Sequence, residues 1–429
     1  MQGSLCLLSF ELRCGASRLP AMGRREARSA RDLGNCRRRP PCRRCRNSMA
    51  ASAAAVPTPQ LVRSALVLHA CASPSIVLHA ARLLQRAAAS NSPLAQPALL
   101  AARHTIFTHF AAGETLHDVR AVAARLGAAG VRCIVDHATE ESTEASARAH
   151  NLERKLALLA ELRAELPAAA AFVPVKLTAL VDPAALERAT ASPSDADALL
   201  AEGVAQCRPL CEAARAASIP LLLDAEQTPR QPAIMRIARA LSAEFNPRGA
   251  APTLYNTHQM YLRGARATLD EEAAHAAEAG YVLAVKLVRG AYMQTEPAAA
   301  LQPSKGATDD AYDGAAALLL ERVADGGGAL LLATHNRRSL QKLGERMAEL
   351  GLARDDQAVH AAQILGMADD ATYGLGAAGY NALKLVPYGA FDELLPWLLR
   401  RLEENSSILG AAAEERPLLR RELRRRVLG

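Results

Sequence analysis

The sequence is poor in aromatic side chains, with one Trp, six Phe and eight Tyr among 429 residues, although half of its residues are hydrophobic. Alanine dominates that half, so the expected core is helix-rich and packed through small side chains. No run of eighteen apolar residues occurs, and no membrane-spanning helix is expected. Residues 1–50 contain no Lys and only three acids, Glu11, Glu26 and Asp32, against twelve Arg. That head carries +9 of a formal net charge of +7, which leaves −2 for the rest. The body therefore lacks a global electrostatic footprint for nucleic acid, and no nucleic-acid partner is expected.

The head also holds five of the nine cysteines, including the pair Cys42 and Cys45 in CxxC spacing. No His or further well-spaced ligand lies near them, so a zinc site is not expected. Cys71, Cys133, Cys207 and Cys211 read as scattered thiols of a reduced compartment. An Arg-rich, acid-poor segment surrounded by Ser and Ala has the composition of an organellar transit peptide. Residues 1–60 are assigned to it, or to disorder, and Met49 offers an alternative start. Residues 61–125 read as a helical segment with breaks at Pro74 and at 91–97.

From about residue 130 short apolar runs alternate with long amphipathic stretches. Strands are expected at 131–138, 172–180, 220–226, 253–259, 282–289, 329–335, 359–365 and 382–387. Helices are expected after them at 146–166, 195–217, 231–245, 267–279, 309–325, 337–350, 368–378 and 391–406. Continuous apolar strands separated by helices imply a parallel sheet covered by helices. Eight such units have the count and size of a (βα)8 TIM-like barrel, assigned to residues 126–429. An open doubly wound sheet is the alternative. The glycines Gly374, Gly376 and Gly379 have GxGxxG spacing, but a polar stretch separates them from the preceding strand and they lead into the next one. A Rossmann domain is therefore not expected, and a small-residue helix packed on the barrel is.

Barrel enzymes carry their chemistry at the C-terminal ends of the strands. Polar residues stand there on seven strands: Asp136, Lys176, Asp224 with Glu226, Gln259, Lys286 with Arg289, His335 with Asn336, and Gln363. Any one of them could be an ordinary loop start. Together they are hard to dismiss, because buried charge is costly unless paired or used. No His/Asp/Glu group has metal spacing, and no Ser–His–Asp grouping is evident. The cations suit an anionic substrate or a cofactor phosphate. Arg400 and Glu404 share one face of the last expected helix, with Arg401 about 100° away. The apolar run 394–399 before them is expected to pack on the barrel and carry the arginines inward.

These residues resemble the proline dehydrogenase family. The resemblance is carried by Leu221 to Glu226 with Gln231 to Ile234, by Asn256 to Leu262, and most distinctively by Lys286-Leu287-Val288-Arg289-Gly290-Ala291-Tyr292. Thr308-Asp309 with Tyr312, Ala333 to Asn336, Gln363 to Met367 and Arg400 to Asn405 follow in order; Ala112 to Thr115, Asp136 and Glu140 fit upstream. The resemblance implies a distorted barrel that binds FAD without a Rossmann domain. It implies oxidation of L-proline to 1-pyrroline-5-carboxylate, with a membrane quinone as electron acceptor. In eukaryotic members the setting is the matrix side of the inner mitochondrial membrane, with peripheral attachment, which agrees with the head.

Carried over by position, Arg400, Arg401 and Lys176 would hold the proline carboxylate, with Asp224 ordering that cluster and Glu404 a further acid. Leu365 and Tyr292 would wall the proline ring. Gln259, Lys286, Val288, Arg289, Gly290, Ala291, Thr334, His335, Asn336 and Gln363 would line the cofactor. One departure stands out: the family reads Tyr where this sequence has Leu385, between Lys384 and Val386. Two other readings remain open on the residues alone. A barrel lyase could use Lys176 or Lys286 as a Schiff base, and a non-catalytic relative could bind flavin without turnover. Preference for proline or 4-hydroxyproline is likewise left open by Leu385.

Overall fold

The structure is a computed structural model. It describes residues 58–428 except 71–73, 89, 91–92, 138–140 and 408, and omits some helical side chains, among them 400–416. The head, Cys42, Cys45 and Glu140 thus lie outside the described residues. Before the barrel the described residues form α1 (Thr58–Ala70), α2 (Pro74–Ala88), a 3₁₀ turn (Pro93–Ala95), α3 (Gln96–Ala102) and a π-helical stretch (Arg103–Phe107) that runs into Thr108–Phe110. Then comes α4 (Leu116–Gly127), started by a capping box in which Thr115 accepts from the Asp118 amide and Asp118 accepts from the Thr115 amide.

The barrel strands are β1 (Val131–His137), β2 (Ala170–Val175), β3 (Leu221–Leu223), β4 (Leu254–Gln259), β5 (Leu283–Val288), β6 (Gly328–Ala333), β7 (Val359–Ile364) and β8 (Ala382–Tyr388). All neighbours pair in parallel, and β8 closes on β1. The intervening helices are α5 (Ala145–Glu165), α6 (Pro183–Ala191) with α7 (Pro193–Ala217), α8 (Gln231–Phe245), α9 (Ala265–Ala279), α10 (Lys305–Ala324), α11 (Arg337–Glu349) and α12 (Asp369–Ala377). The chain ends in α13 (Phe391–Ser407) and α14 (Leu409–Leu428).

Each expected strand is present, and two are shorter than their apolar runs. β2 stops at Val175, and the apolar residues after it form a 3₁₀ turn at Leu177–Ala179. β3 keeps three residues; beyond it the Asp224 amide still donates to Val175 across 2.8 Å before the chain turns away. The second crossover holds two helices where one is expected, because Pro193 restarts the helix after Ser192.

Alternation along the strands divides the core. Ile134, Phe172, Leu222, Tyr255, Ala284, Leu331 and Leu383 form one inward cluster. Their neighbours, such as Val173, Leu223 and Val285, join the layer between strands and helices. The Phe172 ring meets Tyr255 and His360 edge-on, each at 5.1 Å, and plugs the barrel. Gly376 belongs to α12, and a side chain there would come within 2.4 Å of the Ala129 carbonyl. Gly376 thus serves close packing against the turn before β1, whereas Gly379 has open space around it and a φ of +79° after the helix. The run Leu394–Leu399 buries mainly against Val77, Leu84 and Phe107 of the N-terminal helices and against Met367, and meets the strands at Ile364, the last residue of β7. It therefore ties the N-terminal layer to the loop after β7.

Candidate active site

Positions two or four residues beyond the inward cluster share its face and reach the C-terminal mouth. They are Asp136 after Ile134, Asp224 after Leu222, Thr257 and Gln259 after Tyr255, and Lys286 and Val288 after Ala284. Lys286 Nζ donates to Asp224 Oδ1 at 2.5 Å, joining β5 to the end of β3. Asp136 faces this pair electrostatically. Burial pushes the Asp136 carboxyl above the usual range and outweighs the opposing pull of Lys155 and Lys286. Gln259 donates to the Glu226 carbonyl at 2.9 Å. The buried Thr257 hydroxyl, directly opposite Lys286 in the β4–β5 ladder, has no hydrogen-bond partner among the described residues. Leu385 packs half-buried on the inward cluster, in register with Ile134 and Ile364.

Other candidates gather on the opposite face of β5 and β6. Arg289 donates to Asp309 at 2.7 Å, to the Thr334 hydroxyl at 2.9 Å and to the Ser339 hydroxyl at 3.0 Å. Its guanidinium stacks 4.1 Å from the Tyr312 ring centroid. Arg289 and Lys305 hold the Asp309 carboxyl below its ordinary range despite burial. Asn336 caps α11 by accepting from the amides of Arg338 and Ser339. His335 Nε2 accepts from the Ile364 amide at 3.2 Å. Gln363 donates to the Thr334 carbonyl and accepts from the Thr372 hydroxyl. The adjacent Gly290 has φ +137°, and a Cβ there would overlap the Tyr261 ring at 1.6 Å. Only glycine fits.

The remaining candidates separate. Glu226 is nearly fully buried and accepts from the Thr178 amide and hydroxyl, so it anchors the loop after β2. Lys176 and Tyr292 are half-buried at the ends of β2 and β5, and Ala291 is exposed. Leu365 packs in the layer between strands and helices. Arg400, Arg401 and Glu404 fall on α13, but their side chains lie outside the described residues.

Two buried residues escaped the sequence reading. Lys155, on α5, donates to the carbonyls of His137 and Pro174 and pairs with Asp136. Glu296 accepts from the Thr228 amide and hydroxyl and clamps the loop after β3 to that after β5. Neither leaves a signal, since a charged residue on a helix or in a loop reads as solvated.

A closed parallel barrel with paired lysines and carboxylates at its C-terminal mouth defines a barrel enzyme for a small charged substrate. Residues 119–414 match the proline dehydrogenase family, and the chain belongs to it. It is 33% identical to hydroxyproline dehydrogenase of Mus musculus, over 87% of this chain and 92% of the relative. It is 30% identical to mitochondrial proline dehydrogenase 2 of Arabidopsis thaliana, over 87% and 89% respectively. Proline utilization A of Bdellovibrio bacteriovorus, solved after inactivation by N-propargylglycine, shares the fold with a TM-score of 0.68 and 18% identity. That match covers 84% of this chain, which spans about two fifths of the larger protein (41%).

Proposed function

We propose that this chain is a mitochondrial flavoenzyme that oxidises L-proline to 1-pyrroline-5-carboxylate, with FAD as cofactor and a membrane quinone as the final electron acceptor. The observation that carries this reading is the Lys286–Asp224 pair at the barrel mouth, on the strands that bear the family's motifs. The residues present fit a flavin. Lys286 and Arg289 place a cation on each face of one strand end, Gly290 leaves its backbone bare, and the Thr257 hydroxyl lacks a partner among the described residues. Lys286, Gln259, Arg289, Thr334, His335, Asn336 and Gln363 would hold the cofactor, which supplies the two-electron acceptor.

The chain's own residues bind and orient the substrate. Arg400, Arg401 and Lys176 grip the carboxylate, and Asp224 and Glu404 balance that cationic charge. Tyr292 and Leu385 exclude water around the ring. 4-Hydroxyproline is a second substrate reading, favoured by Leu385 at the family's tyrosine position and by the identity to a hydroxyproline dehydrogenase. The absorbance spectrum of purified protein before and after anaerobic L-proline tests the proposal. A flavin band that bleaches is expected. A colourless protein trapped by borohydride with a carbonyl substrate would replace it with the Schiff-base reading.

A further inference from the structure

Charge and exposed apolar surface are both unevenly distributed over this molecule. Residues 58–113 contain four Arg and not one Asp or Glu. Residues 417–429 contain five Arg and a single acid, Glu422. Each segment carries +4, whereas residues 114–416 between them carry −10. Among the described residues eight large apolar side chains are exposed, and seven lie on α1, α2, the Pro93–Ala95 turn, α3 and α14. The barrel contributes only Met293.

The two segments meet. Arg420 Nη2 lies 3.5 Å from His69 Nδ1, and Arg426 Nη1 donates to the Thr58 hydroxyl at 2.8 Å. α14 therefore runs antiparallel along α1. On α1, Leu61, Ser64 and Val67 are buried, while Val62 and Leu66, one turn apart, face outward. On α2, Val77, Ala81 and Leu84 are buried, while Arg82, Leu83 and Arg86 are exposed. Glu422 is occupied internally by Arg425 at 2.7 Å and Arg426 at 2.8 Å. Arg420, Arg421 and Arg424 are exposed beside it. Leu94, at 90% exposed, stands at the tip of the turn after α2.

We infer that the outer faces of α1, α2 and α14 dock the enzyme onto an anionic lipid bilayer, the leucines entering the headgroup layer and the arginines pairing with lipid phosphates. A surface rich in Arg, free of acid in its N-terminal part and studded with isolated Leu and Val is the composition of an interfacial amphipathic face. A protein groove would instead require the apolar residues to line a concavity, whereas these sit on outer helix faces and a turn tip. The negative barrel would face away from such a bilayer, so attraction and repulsion together set one orientation. The inference rests on the quinone-acceptor reading for its functional sense, because an apolar acceptor resides in the bilayer.

The test is co-sedimentation of the full-length chain with vesicles of 70:30 phosphatidylcholine and phosphatidylglycerol, against pure phosphatidylcholine. Wild type is compared with Val62→Ser/Leu66→Ser/Leu83→Ser, which leaves every charge and the basic head in place. Binding to the anionic vesicles is expected, with little to the neutral ones. The triple variant should bind at least about tenfold more weakly, with its residual binding abolished by 0.5 M NaCl and with unchanged turnover on a soluble dye acceptor. Equal binding of variant and wild type would overturn the inference, as would equal binding to both vesicle types. Wild-type oligomers that the variant dissolves, with no change in vesicle binding, would assign the face to a second copy instead. Lost vesicle binding with an intact flavin response to proline would remove this inference alone. Vesicle binding without that response would remove the proposed function and leave the face.

Discussion

Lys155 Nζ lies 3.6 Å from the Asp136 carboxylate, with both groups withdrawn from solvent at the end of β1. Its other contacts are the carbonyls of His137 at 2.9 Å and Pro174 at 3.1 Å. A helix lysine thereby holds an acid that faces the barrel mouth. Removing one partner of a buried ion pair leaves the other uncompensated, at a cost of about 3–5 kcal/mol. Lys155→Met is expected to lose about that much in urea denaturation. The double variant Lys155→Met/Asp136→Asn should recover part of it, because no lone charge remains. A double variant no more stable than Lys155→Met alone would show that the lysine acts through its carbonyls and not through Asp136.

The Lys286–Asp224 pair is more open, with side chains 18% and 35% exposed, and its breakage should be felt in function more than in stability. Lys286→Met is expected to lower kcat/KM by about tenfold to a hundredfold, with an unchanged circular dichroism spectrum. If Lys286 serves the cofactor, the loss will track reduced flavin content after purification. Full occupancy with a raised KM would move it to the substrate. Wild-type kinetics would return the pair to a loop-closing role.

The barrel was legible in the sequence because each strand is an apolar run and each crossover an amphipathic one. Phe172, Leu222 and Leu331 face inward in a pattern the alternation alone supplies. The site was legible only in part. Asp224, Lys286 and Gln259 stand at strand ends, where the topology brings any polar residue to the mouth. Arg289 stands there too, yet the same alternation turns it to the helix side, where it ties Asp309, Thr334 and Ser339 together. Glu226 was indistinguishable from Asp224 in sequence, and the brevity of β3 decides between them: the chain has left the ladder before Glu226, which turns to Thr178. Lys155 was invisible because its burial depends on how α5 sits over β1 and β2, which no local pattern encodes.

His109, His258 and His360 are buried, and burial lowers each pKa from 6.5 to about 4. In the folded chain they are neutral down to that pH, whereas in the unfolded chain they take up protons below about 6.5. Stability is therefore expected to fall as pH drops from 6.5 towards 4, by on the order of 3 kcal/mol per histidine at the lower limit. Asp136 and Glu226, which burial pushes up, act in the opposite sense and make the net fall shallower. Urea midpoints at pH 7, 6, 5 and 4.5 check this. A profile that stays flat in Asp136→Asn/Glu226→Gln, where the opposing carboxyls are gone, would mean that the three rings are not buried neutral in solution.

Leu385 tests how the substrate pocket is shaped. It sits on the inward face of β8, half-buried, level with Ile134 on β1 and Ile364 on β7. Its neighbour Lys384 points the other way and is fully buried, donating to the carbonyls of Ile364 and Met367 and pairing with Asp369 at 2.7 Å. Position 385 is therefore pinned on the barrel side, and a tyrosine there would project into the space above the inward cluster. Leucine keeps that space apolar but supplies neither a flat face nor a hydroxyl. More room above the ring should admit a 4-substituted proline, while the lost area and hydrogen bond should weaken proline itself, by about 1–3 kcal/mol. The chain is therefore expected to show a smaller preference for proline over 4-hydroxyproline than Leu385→Tyr does. Tyr388, three residues on and on the other face, does not refill the space, because its ring is edge-on to His137 at 5.0 Å. Ratios of kcat/KM for the two substrates, measured in wild type and in Leu385→Tyr, decide the matter. Equal ratios would show that the pocket does not read the ring's fourth carbon through this position.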